Sequence, residues 1–166
     1  MSNDSSSDQK IHISLERQCL TLVDGAGSVL AEYTVSTALN GPGEQDSSGC
    51  TPRGSHYVRA MIGDGQPMYT VYRGRRPTGE IYSAELAAQY PARDWILTRI
   101  LWLCGRETGK NRGPGVDTFR RFIYIHGTPD TEPMGVPLSH GCVRMRNDDV
   151  IDLFSRVSTG IAVSIY

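Results

Sequence analysis

Two short stretches hold residue types that can do covalent chemistry together. PLSHGCVRMRN, residues 137–147, sets Cys142 directly after Gly141 and two positions after His140, one of only four histidines among 166 residues. IYIHGT, residues 123–128, runs through β-branched and aromatic residues to His126, with Gly127 behind it. A thiolate is the reactive form of cysteine, and a histidine within reach can take its proton and later return one to a leaving amine. Gly141 has no Cβ, so the turn before Cys142 can be tight. Such a turn can aim the backbone N–H groups of Gly141 and Cys142 at one oxygen, as an oxyanion hole does.

Other chemistries use the same residues. His126, His140 and Cys142 are acceptable zinc ligands, with Asp130 or Glu132 nearby in sequence, although no paired cysteine or HExxH helix accompanies them. A cysteine can also be an inert, buried small hydrophobe, the reading that suits Cys19 and Cys104, while Cys50 sits in a polar loop as an incidental thiol. None of the four cysteines forms a CxxC pair, so reduced thiols are expected. Arg144 can grip a carboxylate through two parallel hydrogen bonds, or sit in an internal or surface salt bridge. Arg99 and the GRR run at 74–76 are weaker candidates for that contact, and solvated surface charge is the better reading of the run.

The elements that must position these residues are mostly strands. Residues 11–15, 19–23 and 29–37 alternate as a β-meander, with DGAG at 24–27 as a turn. A glycine- and proline-bearing loop follows at 40–54, then short strands near 56–62 and 68–72. IYSAEL is open between strand and short helix, and residues 92–105 fit either a helix or a strand, with a buried strand over 97–103 the favoured reading. FRRFIYIHG, 119–127, is a strand that delivers His126 to a glycine turn. NDDVIDLFSRV, 147–157, is a helix capped by Asn147, and residues 160–166 form a closing strand. The expected class is mainly β, an α+β domain that is β-sandwich-like with a late short helix.

Length and charge narrow the role. The chain suits one domain over 10–166 behind a polar Ser/Asp-rich tail at 1–9. Seventeen basic against eighteen acidic residues, with no Lys/Arg block, argue against a nucleic-acid partner. No apolar run has the length of a membrane span and no basic-then-apolar leader is present, so no stable membrane insertion is expected. If Met1 is the natural start, the expected location is cytoplasmic; removal of an export segment would make it periplasmic or cell-envelope.

IYIHGT followed by PLSHGCVRMRNDDV resembles the active-site signature of the L,D-transpeptidase catalytic domain family, and the likeness extends from the first ISL strand to GIAVSI. The resemblance implies a strand-rich catalytic fold with no cofactor, acting on peptidoglycan stem peptides. It implies Cys142 as nucleophile, His126 as its histidine and the Gly127 carbonyl as the group that orients the imidazole. Ser139, His140 and Gly141 would form the turn around the thiol, His140 adding its backbone to the oxyanion site or tuning the thiol. Ser139, Arg144 and Arg99 are the residues assigned to substrate. Attack on the bond between diaminopimelate and terminal D-alanine would leave a thioester, released by water or by an amine acceptor. Because no leader is read, the expected activity is L,D-carboxypeptidation of tetrapeptides or muropeptides in murein recycling. The alternatives are an exported L,D-transpeptidase and a noncatalytic muropeptide-binding module.

Overall fold

The computed structural model describes residues 8–166, so Met1–Ser7 of the expected tail lie outside the described residues. Ten strands form one sheet: β1 (Lys10–Ser14), β2 (Cys19–Val23), β3 (Val29–Ser36), β4 (Gly54–Ile62), β5 (Thr70–Arg73), β6 (Arg76–Ile81), β7 (Ile96–Gly105), β8 (Tyr124–Gly127), β9 (Val143–Met145) and β10 (Ala162–Ile165). Two helices, α1 (Ala84–Gln89) and α2 (Asn147–Arg156), complete the described residues. The strands lie in the order β4-β10-β1-β2-β3-β9-β8-β7-β5-β6, and β4 also pairs with β7, so the ladder closes on itself. The facing layers expected from the alternating strands are thus opposite walls of one sheet. The hairpin of β5 and β6 extends from β7 beyond that closure.

Alternation sorts the side chains of the three strands that matter here. Ile125, Val143, Met145, Leu101 and Leu103 face the main core, where Val150 and Leu153 of α2 join them. On the opposite face Tyr124 and Ile100 pack with Tyr72, and Cys142 lies against that cluster. β8 and β9 run parallel with Ile125 opposite Val143 and His126 opposite Arg144. This pairing brings the two motif segments side by side although about sixteen residues separate them, because side chains two apart on a strand share a face.

Several boundaries differ from the sequence reading for physical reasons. The strand expected over 119–127 begins only at Tyr124. Before it, Phe119 stacks on Trp102 with ring centroids 3.9 Å apart, Asp117 holds the Arg120 N–H in a turn, and Phe122 has φ 58°. IYSAEL divides: β6 ends at Ile81 and Ser83 caps α1 by accepting from the Leu86 N–H at 3.1 Å. Asn147 does not cap α2; Arg146 occupies that position without a side-chain cap. Asn147 is instead the first residue of the helix, its buried amide donating to the Thr128 carbonyl at 2.7 Å and to Asp130 at 3.1 Å.

Candidate active site

Cys142 precedes β9 at the end of a turn that its neighbours hold tightly. The Ser139 hydroxyl donates to the Cys142 carbonyl at 2.6 Å and accepts from the Gly141 N–H at 3.2 Å. Thr51 donates to the Gly141 carbonyl at 2.9 Å and accepts from the Ala38 N–H at 3.0 Å, fastening the turn to the loop before β4. Gly141 has φ 133°, and a Cβ there would approach the Cys50 carbonyl oxygen to 3.2 Å, so the position suits glycine twice over. Ser139, expected to touch substrate, is buried and engaged within the turn. Of the three expected oxyanion donors, the Gly141 N–H is also engaged. The N–H groups of His140 and Cys142 have no hydrogen-bond partner among the described residues.

The thiol faces two backbone groups of opposite effect. The Tyr124 N–H donates to Sγ at 3.3 Å, and the thiol donates to the Phe122 carbonyl at 3.3 Å. Packing against Tyr72, Ile100 and Tyr124 half-buries Cys142. Burial pushes the thiol up to about 12; the Tyr124 N–H, Arg144 and Arg121 oppose that rise and Asp94 adds to it.

His126 is buried, with Nδ1 2.6 Å from the Gly127 carbonyl oxygen. A carbonyl only accepts, so Nδ1 carries the hydrogen and Nε2 keeps its lone pair. Gly127 itself has no room for a side chain: a Cβ would lie 2.5 Å from Asn147 Oδ1 and 2.7 Å from the Leu97 carbonyl oxygen. Burial lowers the pKa of His126, against the Gly127 bond and the charge of Asp94, which raise it. The result is a neutral base on the same sheet face as Cys142.

A cavity of about 360 Å³ opens over the sulfur, and Cys142, Tyr124, Arg75, Asp94, His140 and Arg144 are among its walls. His140 is largely exposed, and its Nδ1 lies 3.1 Å from Asp94. Arg144 is buried and lies 3.1 Å from the same Asp94 carboxylate and 3.8 Å from Glu132. Burial works against ionisation of Asp94, but the His140 bond and the charges of His126, Arg144 and His140 prevail and hold its carboxyl below the usual range. Arg144 therefore has an internal carboxylate partner rather than an open fork. Arg99 is absent from this cavity: it donates to the Gln66 and Thr98 carbonyls and lines a separate groove beside Phe154 of α2. The bulge between Leu97 and Ile100 in the β7–β8 pairing, where Thr98 has φ 72°, accompanies that placement.

Asp94 and Thr51 escaped sequence reasoning because long-range pairing alone carries them here, whereas Arg75, read chiefly as solvated charge, lines the cavity. Among the described residues no three His, Cys, Asp or Glu side chains converge as a ligand set, so the grouping of His126, His140 and Cys142 considered for zinc is not assembled. All four cysteines are free thiols. Cys19, on β2, donates to Glu32 at 3.2 Å and lies outside the Cys142 cavity.

The fold and this pocket define a mainly β protein in which a pocket cysteine just before β9 and a buried histidine on β8 lie on one face of adjacent parallel segments. The model of the L,D-transpeptidase catalytic domain matches residues 8–165, and the chain belongs to that family. It is similar to the probable L,D-transpeptidase YbiS of Escherichia coli K12, 46% identical over 43 residues, which are 26% of this chain and 14% of that protein. The putative L,D-transpeptidase YqjB of Bacillus subtilis 168 is 44% identical over 45 residues, 27% of this chain and 26% of that protein. The matched stretch thus spans a quarter or so, or less, of those curated relatives. L,D-transpeptidase 3 from Mycobacterium tuberculosis superposes with a TM-score of 0.58 at 15% identity, over 96% of this chain and 61% of that one, a likeness of fold.

Proposed function

We propose that this chain is a cysteine acyltransferase of the L,D-transpeptidase type, taking the acyl group of a peptidoglycan tetrapeptide onto Cys142 and passing it to an amine acceptor. The observation that carries the reading is His126. Its Nδ1 is bound to the Gly127 carbonyl and its free lone pair belongs to the strand beside Cys142. The relatives' shared name favours an amine over the water expected from the N-terminal residues. Transfer to polymeric peptidoglycan calls for a cell-envelope location in place of the expected cytoplasmic one.

Proton and bond changes follow from the two pKa shifts. A thiol near 12 beside an imidazole below its ordinary 6.5 leaves the ion pair scarcely populated, so deprotonation accompanies attack. Sγ bonds to the carbonyl carbon as its proton passes to His126 Nε2. The oxygen gains charge facing the His140 and Cys142 N–H groups. The carbon–nitrogen bond then breaks, His126 returns the proton to the departing amine of D-alanine, and a thioester remains. An acceptor amine attacks the thioester and gives a proton to His126, the carbon–sulfur bond breaks, and His126 returns the proton to sulfur, leaving a new amide and the free thiol.

The test is a defined tetrapeptide incubated with and without an amine acceptor, with protein and products weighed by mass spectrometry. The expected outcome is an acyl adduct on the wild-type protein, absent from Cys142→Ala, and a crosslinked product only with acceptor. Rapid formation of tripeptide and D-alanine without acceptor would instead establish the carboxypeptidase. Peptide binding with no adduct and no product would leave only the noncatalytic module.

A further inference from the structure

Three arginines line the cavity over Cys142, and Arg75 commits the fewest of its five N–H donors to the protein. Arg144 is held by Asp94 and Glu132. Arg121 donates to the Gly43 carbonyl, the Ser48 hydroxyl and the Cys50 carbonyl. Arg75 makes one hydrogen bond, from Nη1 to the Tyr124 hydroxyl at 3.1 Å, and has no carboxylate partner among the described residues. Its guanidinium lies 4.7 Å from the Trp102 ring centroid and 4.9 Å from that of Phe122, which hold it without using its remaining N–H groups.

The backbone sets the direction of this side chain. Arg73 pairs with Arg76, so Gly74 and Arg75 form a two-residue hairpin loop with φ 55° and 64°, the signature of a type I′ turn. A left-handed arginine is uncommon and costs energy that glycine or asparagine would avoid. Here it aims the guanidinium over the pocket. Tyr124 links the two ends of the site, its N–H on the Cys142 sulfur and its hydroxyl on Arg75. A ligand lying along Tyr124 would therefore have its reacting carbonyl at Cys142 and its next polar group at Arg75. Across the cavity Asp94 repels anions, which leaves the Arg75 end as the place for a negative charge.

We propose that Arg75 binds the terminal carboxylate of the donor peptide and so makes the site selective for chains that end one residue beyond the attacked bond. The proposal rests on the acyl-transfer reading for the choice of ligand, and it revises the solvated role expected for the GRR run. A planar, pre-oriented fork suits a carboxylate, and a charged hydrogen bond of this kind contributes roughly 10- to 100-fold in affinity.

Binding, measured by calorimetry in the Cys142→Ala protein, tests this without requiring turnover. The ligands are the tetrapeptide stem ending in D-alanine and the same peptide ending in D-alanine amide. The free acid should bind roughly 10- to 100-fold more tightly. Adding Arg75→Asn, which keeps a side chain tolerant of the left-handed turn, should bring the two affinities together. No preference with Arg75 present, an unchanged preference after Arg75→Asn, or an equal loss for both peptides would each overturn the proposal. Adduct formation on the wild-type protein, followed by intact mass, is a separate readout: its failure counts against acyl transfer, whereas the acid-over-amide preference speaks for Arg75 alone.

Discussion

A thiol raised to about 12 and an imidazole lowered by burial lie on one face of adjacent chain segments, and this pairing sets how the site responds to pH. The reactive resting form is neutral on both sides. Acid inactivates it by protonating His126, whose depressed pKa places that loss below the ordinary value of about 6.5. Acylation by peptide should therefore stay level from neutral pH downward until below about 6.5 and then fall, as single-turnover rates across a pH series would reveal. Alkylation by iodoacetamide requires the thiolate and should behave differently. At pH 7.5 Cys142 should react orders of magnitude more slowly than an unhindered thiol of pKa about 8.5, with no plateau before about pH 12. Fast alkylation at neutral pH, titrating together with His126, would show a preformed ion pair and sink the neutral-pair mechanism. Asp94 acts on both partners, because its charge raises both pKa values, offsetting burial at His126 and adding to it at Cys142.

At the scale of elements, the site depends on how closely three chain segments pass one another. β8 lies between β7 and β9, and the N-terminus of α2 approaches β8 through Asn147. Gly127 is where they meet, within 2.5 Å of Asn147 Oδ1 and 2.7 Å of the Leu97 carbonyl oxygen if it carried a Cβ. Gly127→Ala should force the strand away and destabilise the fold by about 1–3 kcal/mol. It should also shift the carbonyl that holds Nδ1 of His126, with acylation falling at least roughly tenfold. Urea unfolding and the nitrogen chemical shifts of His126 would check both parts. A wild-type tautomer and rate in a folded Gly127→Ala protein would mean that the carbonyl does not orient the ring. The motifs HG and SHGC were legible in sequence because what marks them is local: a turn, a thiol and an imidazole. Strands such as β1, β2 and β4 were legible because alternation is local too. Arg144's commitment to Asp94, the displacement of Arg99 by the β7 bulge and the open fork of Arg75 were not, since each arises between segments distant in sequence. Asn147 shows the same limit: its type suits a helix cap, but the tertiary demand for an amide at Thr128 and Asp130 places it inside the first turn.

For the whole molecule, the closure of the sheet between β4 and β7 has its own titratable group. His56 pairs with Val163 of β10 on one side and Gly105 of β7 on the other, and it is fully buried. Its Nδ1 donates to the Gly54 carbonyl at 3.0 Å, and Nε2 accepts from the Thr118 hydroxyl at 2.9 Å, joining the strand to the loop that leads into β8. Burial lowers its pKa to about 4, opposed by the Gly54 bond and by Glu107 and Glu44. A depressed histidine binds fewer protons folded than unfolded, so its stabilising effect is complete above about pH 6.5 and declines as pH falls toward 4. The full loss is about 3 kcal/mol on that shift, and His126 adds to it with the same sign. The paired carboxylates, including Glu44, Glu80 and Asp152, are held below their ordinary values and titrate lower, so the interval from about 6.5 to about 4.5 belongs mainly to the two histidines. Urea unfolding at several pH values across that interval should show stability decreasing with acid, and His56→Gln should flatten the slope even though it lowers stability throughout. The slope is the decisive quantity, because cavity and packing losses shift the whole curve without changing its dependence on protons. An identical slope in the variant would assign the acid sensitivity elsewhere, with His126 the next group to substitute.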